Sequence, residues 1–198
     1  MILMQKNLLI VRILMVGSLS YCAPTQAISV SSYQASQVVI SSKGSDGTLQ
    51  MGQRNNVAQF RIQNRGDKSL ALEYLELKNY GNADLTESFD TWEMIINSQT
   101  IPAWTWSDQR SIAIMLPEPV IIGRGDSIIV QVQAQLILAR NNKTVQLGLR
   151  RADDIDLREI HTNVYAEVLS EDNTKFTEHQ LRPGGIYFRR TPRRTYRR

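Results

Sequence analysis

One cysteine and two histidines stand in 198 residues, and that scarcity removes several function classes at once. The cysteine, Cys22, falls within the first 27 residues, so the rest of the chain has neither a disulfide framework nor a cysteine-ligated metal. His161 and His179 form no His-x-x-x-His or His-x-His pair, which argues against a zinc site of ordinary composition. No Gly-x-Ser-x-Gly elbow is present, and any Ser–His–Asp arrangement would depend on one of those two histidines. The expectation is a protein that is not an enzyme and holds no cofactor. The chain also lacks an uninterrupted apolar run of the ~20 residues a spanning helix needs. Beyond its first residues it shows no sustained helical period, and no repeat recurs at about 20–50 residues.

What is present begins with an address. Lys6 and Arg12 precede an apolar run from Ile13 to Leu19, followed by Pro24-Thr25-Gln26-Ala27. A charged start, a short apolar stretch and small residues at Thr25 and Ala27 describe a secretory signal over residues 1–27, cut after Ala27. Tyr21 directly before Cys22 argues against acylation of that cysteine, because a lipobox wants a small residue there. Export to the cell surface, the extracellular space or a periplasm is expected, with no integral membrane segment after cleavage.

Charge is divided unevenly. Residues 182–198 hold seven arginines and no acid, and residues 1–27 hold two basic residues and no acid. Of the 23 basic and 19 acidic residues in the chain, residues 28–181 therefore keep 14 and 19, a net of −5. The positive total is a property of the C-terminal segment, so the body is not a basic, nucleic-acid-type domain.

Between these ends the pattern is strands and turns. Ala58, Phe60 and Ile62 alternate with Gln59, Arg61 and Gln63, and Ile128 to Leu136 alternates with Ile129, Gln131, Gln133 and Gln135; both have the period of half-buried strands. Leu70 to Leu77 changes phase near Tyr74, as a bulge would cause. Further strands are expected at Gln37–Ser41, Asp90–Asn97, Gln99–Trp106, Ser111–Leu116, Thr144–Arg150 and Thr162–Leu169. Pro102 should confine its strand to an edge, and Pro117-Glu118-Pro119 should stop the one before it. Strands broken by turns about every ten residues indicate an all-β sandwich. The expected organisation is a leader at 28–50 with one short strand, a domain at 51–181 and a tail at 182–198.

Ala58-Gln59-Phe60-Arg61-Ile62-Gln63-Asn64-Arg65-Gly66, then Leu75-Glu76-Leu77-Lys78-Asn79-Tyr80-Gly81-Asn82-Ala83-Asp84-Leu85, resembles bacterial extracellular immunoglobulin-like modules. Pro119-Val120-Ile121-Ile122-Gly123-Arg124-Gly125-Asp126-Ser127-Ile128-Ile129-Val130 resembles their later proline, apolar, two-glycine turn and strand stretch, in which a linker crosses between sheets. The resemblance covers about residues 50–155. It implies a single Ig-like β-sandwich of roughly seven to nine strands with a structural, adhesive or spacer role, and it carries over no catalytic residue.

Three groups of residues are candidates for binding. Trp104 and Trp106 lie on one side of an extended segment; facing inward they would be core, and facing outward they would form a flat platform for a glycan or a peptide. Core or interface packing is the expected outcome for them. Asp153, Asp154 and Asp156 are a weak calcium candidate, since calcium takes six to eight oxygen ligands. Arg150, Arg151 and Arg158 would neutralise them, and Asp84, Glu87 and Asp90 stand no higher. The third group is Arg182, Arg189, Arg190, Arg193, Arg194, Arg197 and Arg198, with Tyr187, Phe188 and Tyr196 interleaved. Proline, glycine and dense charge predict a disordered tail. Its guanidinium groups suit an anionic envelope polymer, lipid headgroups or an acidic protein surface. The expected function is an exported structural or adhesion protein with an anion-binding tail, the alternative being a carbohydrate- or peptide-binding module that uses the Trp face.

Overall fold

The computed structural model describes residues 33–42, 48–140 and 143–173, and the backbone of 186–188. In chain order the strands are β1 (Gln37–Ser42), β2 (Thr48–Leu49), β3 (Arg54–Asn64) and β4 (Leu70–Asn79). A short helix α1 (Leu85–Ser88) leads to β5 (Phe89–Ile96), β6 (Gln99–Ile101), β7 (Trp104–Ser107), β8 (Ser111–Ile122) and β9 (Ser127–Leu136). The remainder are β10 (Thr144–Val145), β11 (Leu147–Gly148), β12 (Ile155–Glu159), β13 (Glu167–Leu169) and β14 (Ile186–Phe188), with a 3-10 turn at Ala152–Asp154. Seven of these fourteen strands have five residues or more. The expected seven to nine therefore matches the long strands, while the short ones escape a periodicity argument.

The fold is an all-β sandwich. One sheet has six strands in the order β13-β1-β3-β9-β5-β6, and the other runs β11-β4-β8-β7 with β12 also paired to β4. Inward residues of both sheets, among them Ile40, Phe60 and Val132 from the first and Leu75, Ile114 and Leu157 from the second, belong to one apolar cluster. Along β9 the inner positions Ile128, Val130, Val132, Ala134 and Leu136 are buried while residues between them are exposed or half-buried. That is the alternation read from the sequence. Each fully buried side chain of this size contributes about 1.5–3 kcal/mol, and with no disulfide in the fold this burial is its main stabilisation.

Two asparagines end the long strands in the same way. Asn64 accepts from the Gly66 N–H at 2.9 Å and donates to the Lys68 carbonyl at 2.7 Å and to that of Gly123 at 3.0 Å. Asn79 accepts from the N–H groups of Gly81 at 2.9 Å and Gln146 at 3.0 Å, and donates to the Ala83 carbonyl at 2.8 Å. Both side chains are buried, so each turn's backbone is satisfied by an amide rather than by water. Glycine two residues later is a matter of space: a Cβ at Gly81 would collide with the Thr144 carbonyl.

Several expectations need correction. Residues 28–50 are not merely a leader, because β1 is a full member of the six-stranded sheet and Val38 and Ile40 are in its core. Gln99–Trp106 is two strands: the chain leaves the edge of the first sheet after Ile101 and enters the edge of the second at Trp104. Pro117 and Pro119 do not stop β8. There the register slips from Met115 opposite Tyr74 to Val120 opposite Leu72, so the prolines occupy a bulge where no ladder N–H is required. A further crossing between sheets comes at the turn after Ile122, where Asp126 N–H donates to the Gly123 carbonyl at 3.1 Å. Helix α1 was not expected; Asp84 caps it, accepting from the N–H groups of Thr86 and Glu87. Within the segment expected to be disordered, β14 pairs antiparallel with β10 and parallel with β2.

Candidate functional site

Each sheet of the sandwich turns an outer face away from the core, and that of the second sheet carries aromatic side chains. Bulky and β-branched residues favour an extended chain in Trp104-Thr105-Trp106-Ser107, and Pro102 ends the preceding strand. The turn into β8 is fixed by Asp108, whose carboxylate accepts from the N–H groups of Arg110 and Ser111, both at 2.6 Å. These bonds hold the Asp108 carboxyl below the usual carboxylate range.

Register then sets the face. Trp104 lies opposite Met115, Met115 opposite Tyr74, and Tyr74 opposite Asp156, across β7, β8, β4 and β12. At strand spacings of about 4.8 Å this row is about 14 Å wide. In the neighbouring row Trp106 faces Ala113 and Ala113 faces Glu76. Trp104 is 60% exposed, Trp106 50% and Met115 39%. The indoles are therefore outside the core, so of the expected core or interface packing the core half is excluded. Trp92, the third tryptophan, is half-buried against Phe89, with ring centroids 5.3 Å apart.

The far end of the row is polar. Arg158 grips Asp156 with two parallel hydrogen bonds, Nε to Oδ1 at 2.8 Å and Nη2 to Oδ2 at 2.7 Å. The same Nη2 donates to the Tyr165 hydroxyl at 2.6 Å, and the guanidinium carbon is 4.5 Å from the Tyr165 ring centroid. Tyr74 donates to Glu76 at 3.1 Å. Burial first, then the charge of Glu76, pushes its phenol up to about 12, so it remains a proton donor throughout the physiological range. Between Tyr74, Asp153, Asp156, Tyr165 and Val168 lies a cavity of about 350 Å³.

Other candidate residues are occupied by structure. Asp154 accepts from the N–H groups of Arg150 at 2.7 Å and Arg151 at 2.8 Å, and Asp156 is held by Arg158. The acidic cluster thus ties its own loop. Among the described residues no group of three or more His, Cys, Asp and Glu side chains is gathered closely enough to hold a metal. Asp84 caps α1, and a cavity of about 260 Å³ beside it is lined by Glu87, Arg110, Arg140 and Lys143. Arg140 pairs with Glu87 at 2.9 Å, while Arg110 and Lys143 donate to the carbonyls of Gly81 at 2.8 Å and Asn82 at 3.0 Å. His161 is exposed in the turn after β12. The signal segment 1–27, His179 and the arginines of 182–198 lie outside the described residues. Among those described, no helix is long and apolar enough to cross a membrane.

Sequence reasoning missed Met115, Tyr74, Asp156, Arg158 and Tyr165 as members of one surface. Part of the signal was available: Ile155-Asp156-Leu157-Arg158 alternates apolar and charged residues, but the acid density read as a loop paired to its own arginines rather than as a strand. The cross-strand rows had no local signal, because register joins residues far apart in sequence.

No family model matches the chain, and no curated protein matches it. Solved structures with some likeness include AvmM, which catalyses macrocyclization in alchivemycin A biosynthesis, at 13% identity and TM-score 0.43, covering 80% of this chain and 92% of that one. BslA, a bacterial hydrophobin, is 12% identical at TM-score 0.28, covering 68% of this chain and 91% of that one. A structure of manganese lipoxygenase of Gaeumannomyces graminis and zonadhesin of Komagataella pastoris is 12% identical at TM-score 0.25, covering 78% and 52%. None of these is an immunoglobulin-like module, and likeness at this level carries no functional argument.

Proposed function

We propose that this is an exported, non-enzymatic binding protein of the cell surface whose sandwich takes a glycan on the outer face of its second sheet. The observation that carries this is the pair Trp104 and Trp106, adjacent on one face of an edge strand and at least half exposed. Two indoles side by side supply flat apolar area that a protein does not leave in water without use. A sugar ring suits them, because one side of it is apolar while its rim carries hydroxyls for the neighbouring carboxylates. The chain has three tryptophans, and Trp92 is packed away from this face, so a ligand-induced change in emission, lost in the Trp104 and Trp106 variants, reports the pair. Titration with neutral oligosaccharides should shift the emission, and Trp104→Ala or Trp106→Ala should weaken binding about tenfold, the scale of an interface anchor. An unchanged spectrum with no heat of binding would sink the proposal.

The seven arginines of residues 182–198 favour a second, compatible role as a tether to an anionic envelope component. Removing everything after Leu181 would be a poor test, since it deletes β14. Replacing Arg189, Arg190, Arg193, Arg194, Arg197 and Arg198 with glutamine in the full chain leaves the strand in place. Co-sedimentation of the parent with cell envelopes should then fall steeply with salt, while the substituted protein shows little salt dependence. Equal binding by both would remove the tether.

A further inference from the structure

The cavity beside Tyr165 is bordered by Tyr74 and Asp156, the far end of the register row that starts at Trp104, and its wall also includes Ile155, Leu157 and Val168. We infer that it is a second subsite for the same ligand, and that this ligand is an uncharged oligosaccharide of several rings laid across the strands from Trp104 to Tyr165. The inference rests on the glycan reading of the tryptophan pair.

Three observations support it. The first is alignment: Trp104, Met115, Tyr74 and Asp156 are directly opposite one another on four successive strands. Met115 bridges the two aromatic ends with a flexible apolar surface, and nothing in the row interrupts an extended occupant about 14 Å long. The second is the chemistry of the far end. Tyr165 is 58% exposed even with Arg158 over its ring, Asp153 and Asp156 line the cavity with acceptors, and Tyr74 lines it too. The two bonds from Arg158 fix the Asp156 carboxylate in one orientation, so little side-chain freedom is lost when a hydroxyl donates to it. An aromatic ring beside immobilised acceptors matches a sugar better than an aliphatic chain, which would leave those polar groups without water.

The third observation is charge. Asp153 and Asp156 line the cavity, Glu73 is close enough to influence Arg158, and Glu76 stands in the next row. Arg158 is already committed to Asp156 and Tyr165. A polyanion would meet net negative charge here, whereas an uncharged glycan would not. The folded face and the arginine segment thus select opposite classes of ligand.

The test is calorimetric titration of the full-length protein with neutral di- to hexasaccharides of the β-1,4-glucan, α-1,4-glucan and β-1,4-N-acetylglucosamine series. A peptide with the sequence of residues 189–198 is titrated beside them. Affinity should rise at least tenfold from disaccharide to hexasaccharide in one series. Tyr165→Ala should abolish that gain and leave disaccharide affinity unchanged, and Asp156→Asn should reduce it, while Trp104→Ala weakens every length. If a length-dependent gain survives both Tyr165→Ala and Asp156→Asn, the subsite is overturned. Equal affinity for all lengths, lost in Trp104→Ala, would overturn the subsite and leave the tryptophan platform standing. Absence of binding by every saccharide would overturn both. Binding of the basic peptide alone would replace the glycan with a polypeptide partner.

Discussion

The two outer faces of this sandwich are built on the same plan and finished differently. On the first sheet Gln59, Gln131, Gln133 and Gln135 occupy outward positions of β3 and β9. Gln131 donates to Gln59 at 3.3 Å, and Arg54 pairs with Glu93 at 2.8 Å across the sheet. On the second sheet the equivalent outward positions hold Trp104, Trp106, Met115 and Tyr74. Burial dictates the inner face of each sheet but makes no demand on the outer one. The first sheet's outer face is mainly polar, with Ile129 39% exposed among the glutamines, so the aromatic face is the one that needs a reason.

The comparison assumes a single frame that holds both faces, and Glu159 is where that frame is most exposed to test. From the end of β12 in the second sheet it accepts from Ser36, next to β1 of the first sheet, through both N–H at 3.0 Å and hydroxyl at 2.8 Å. Its other oxygen takes Lys68 at 3.2 Å and Thr162 at 2.6 Å. The carboxylate is buried, whereas the Lys68 side chain is a third exposed. Glu159→Ala leaves several donors without this acceptor and should cost about 2–4 kcal/mol, read as a lower denaturation midpoint in urea. A loss within about 0.5 kcal/mol would mean that the sheets are joined by apolar packing alone.

A smaller effect should come from acid, and it should appear on the aromatic face. Because the Asp108 carboxyl is lowered by the backbone N–H groups of Arg110 and Ser111, its contribution is fully present above the ordinary carboxylate range. It is lost as pH falls through the lowered folded value. Emission from the tryptophans should therefore change at low pH as the β7–β8 turn loosens, and Asp108→Asn should remove that transition. An identical acid profile in the variant would separate the turn from the platform. The smallest effect belongs to the polar face: Gln133→Ala should alter stability by no more than about 0.5 kcal/mol and glycan affinity not at all. A loss of affinity there would move the ligand to the first sheet.

Much of the frame was legible because it is written with a local period. The strands at Ala58–Asn64 and Ile128–Leu136, the phase change near Tyr74 and the two Asn-x-Gly turns all follow from residues within a few positions of one another. Short strands paired far away, such as β10 and β14, leave no such trace. Pro117 and Pro119 misled because a proline stops a strand only where its missing N–H would be used. The outward direction of the tryptophans depended on which sheet β7 joins, and Ala103 beside Pro102 gives no hint of the change of sheet.

Strand β14 also sets a length scale for the proposed arginine tether. It moors the chain at Phe188, one residue before Arg189, so the six arginines from Arg189 to Arg198 begin at a fixed point on the folded body. Ten residues of fully extended chain reach about 35 Å. A mooring that began at Leu181 would have had a radius of about 60 Å. Any surface held by those six arginines therefore keeps β14 within about one small-domain diameter of itself, a stand-off short enough for an intermolecular energy-transfer distance to measure.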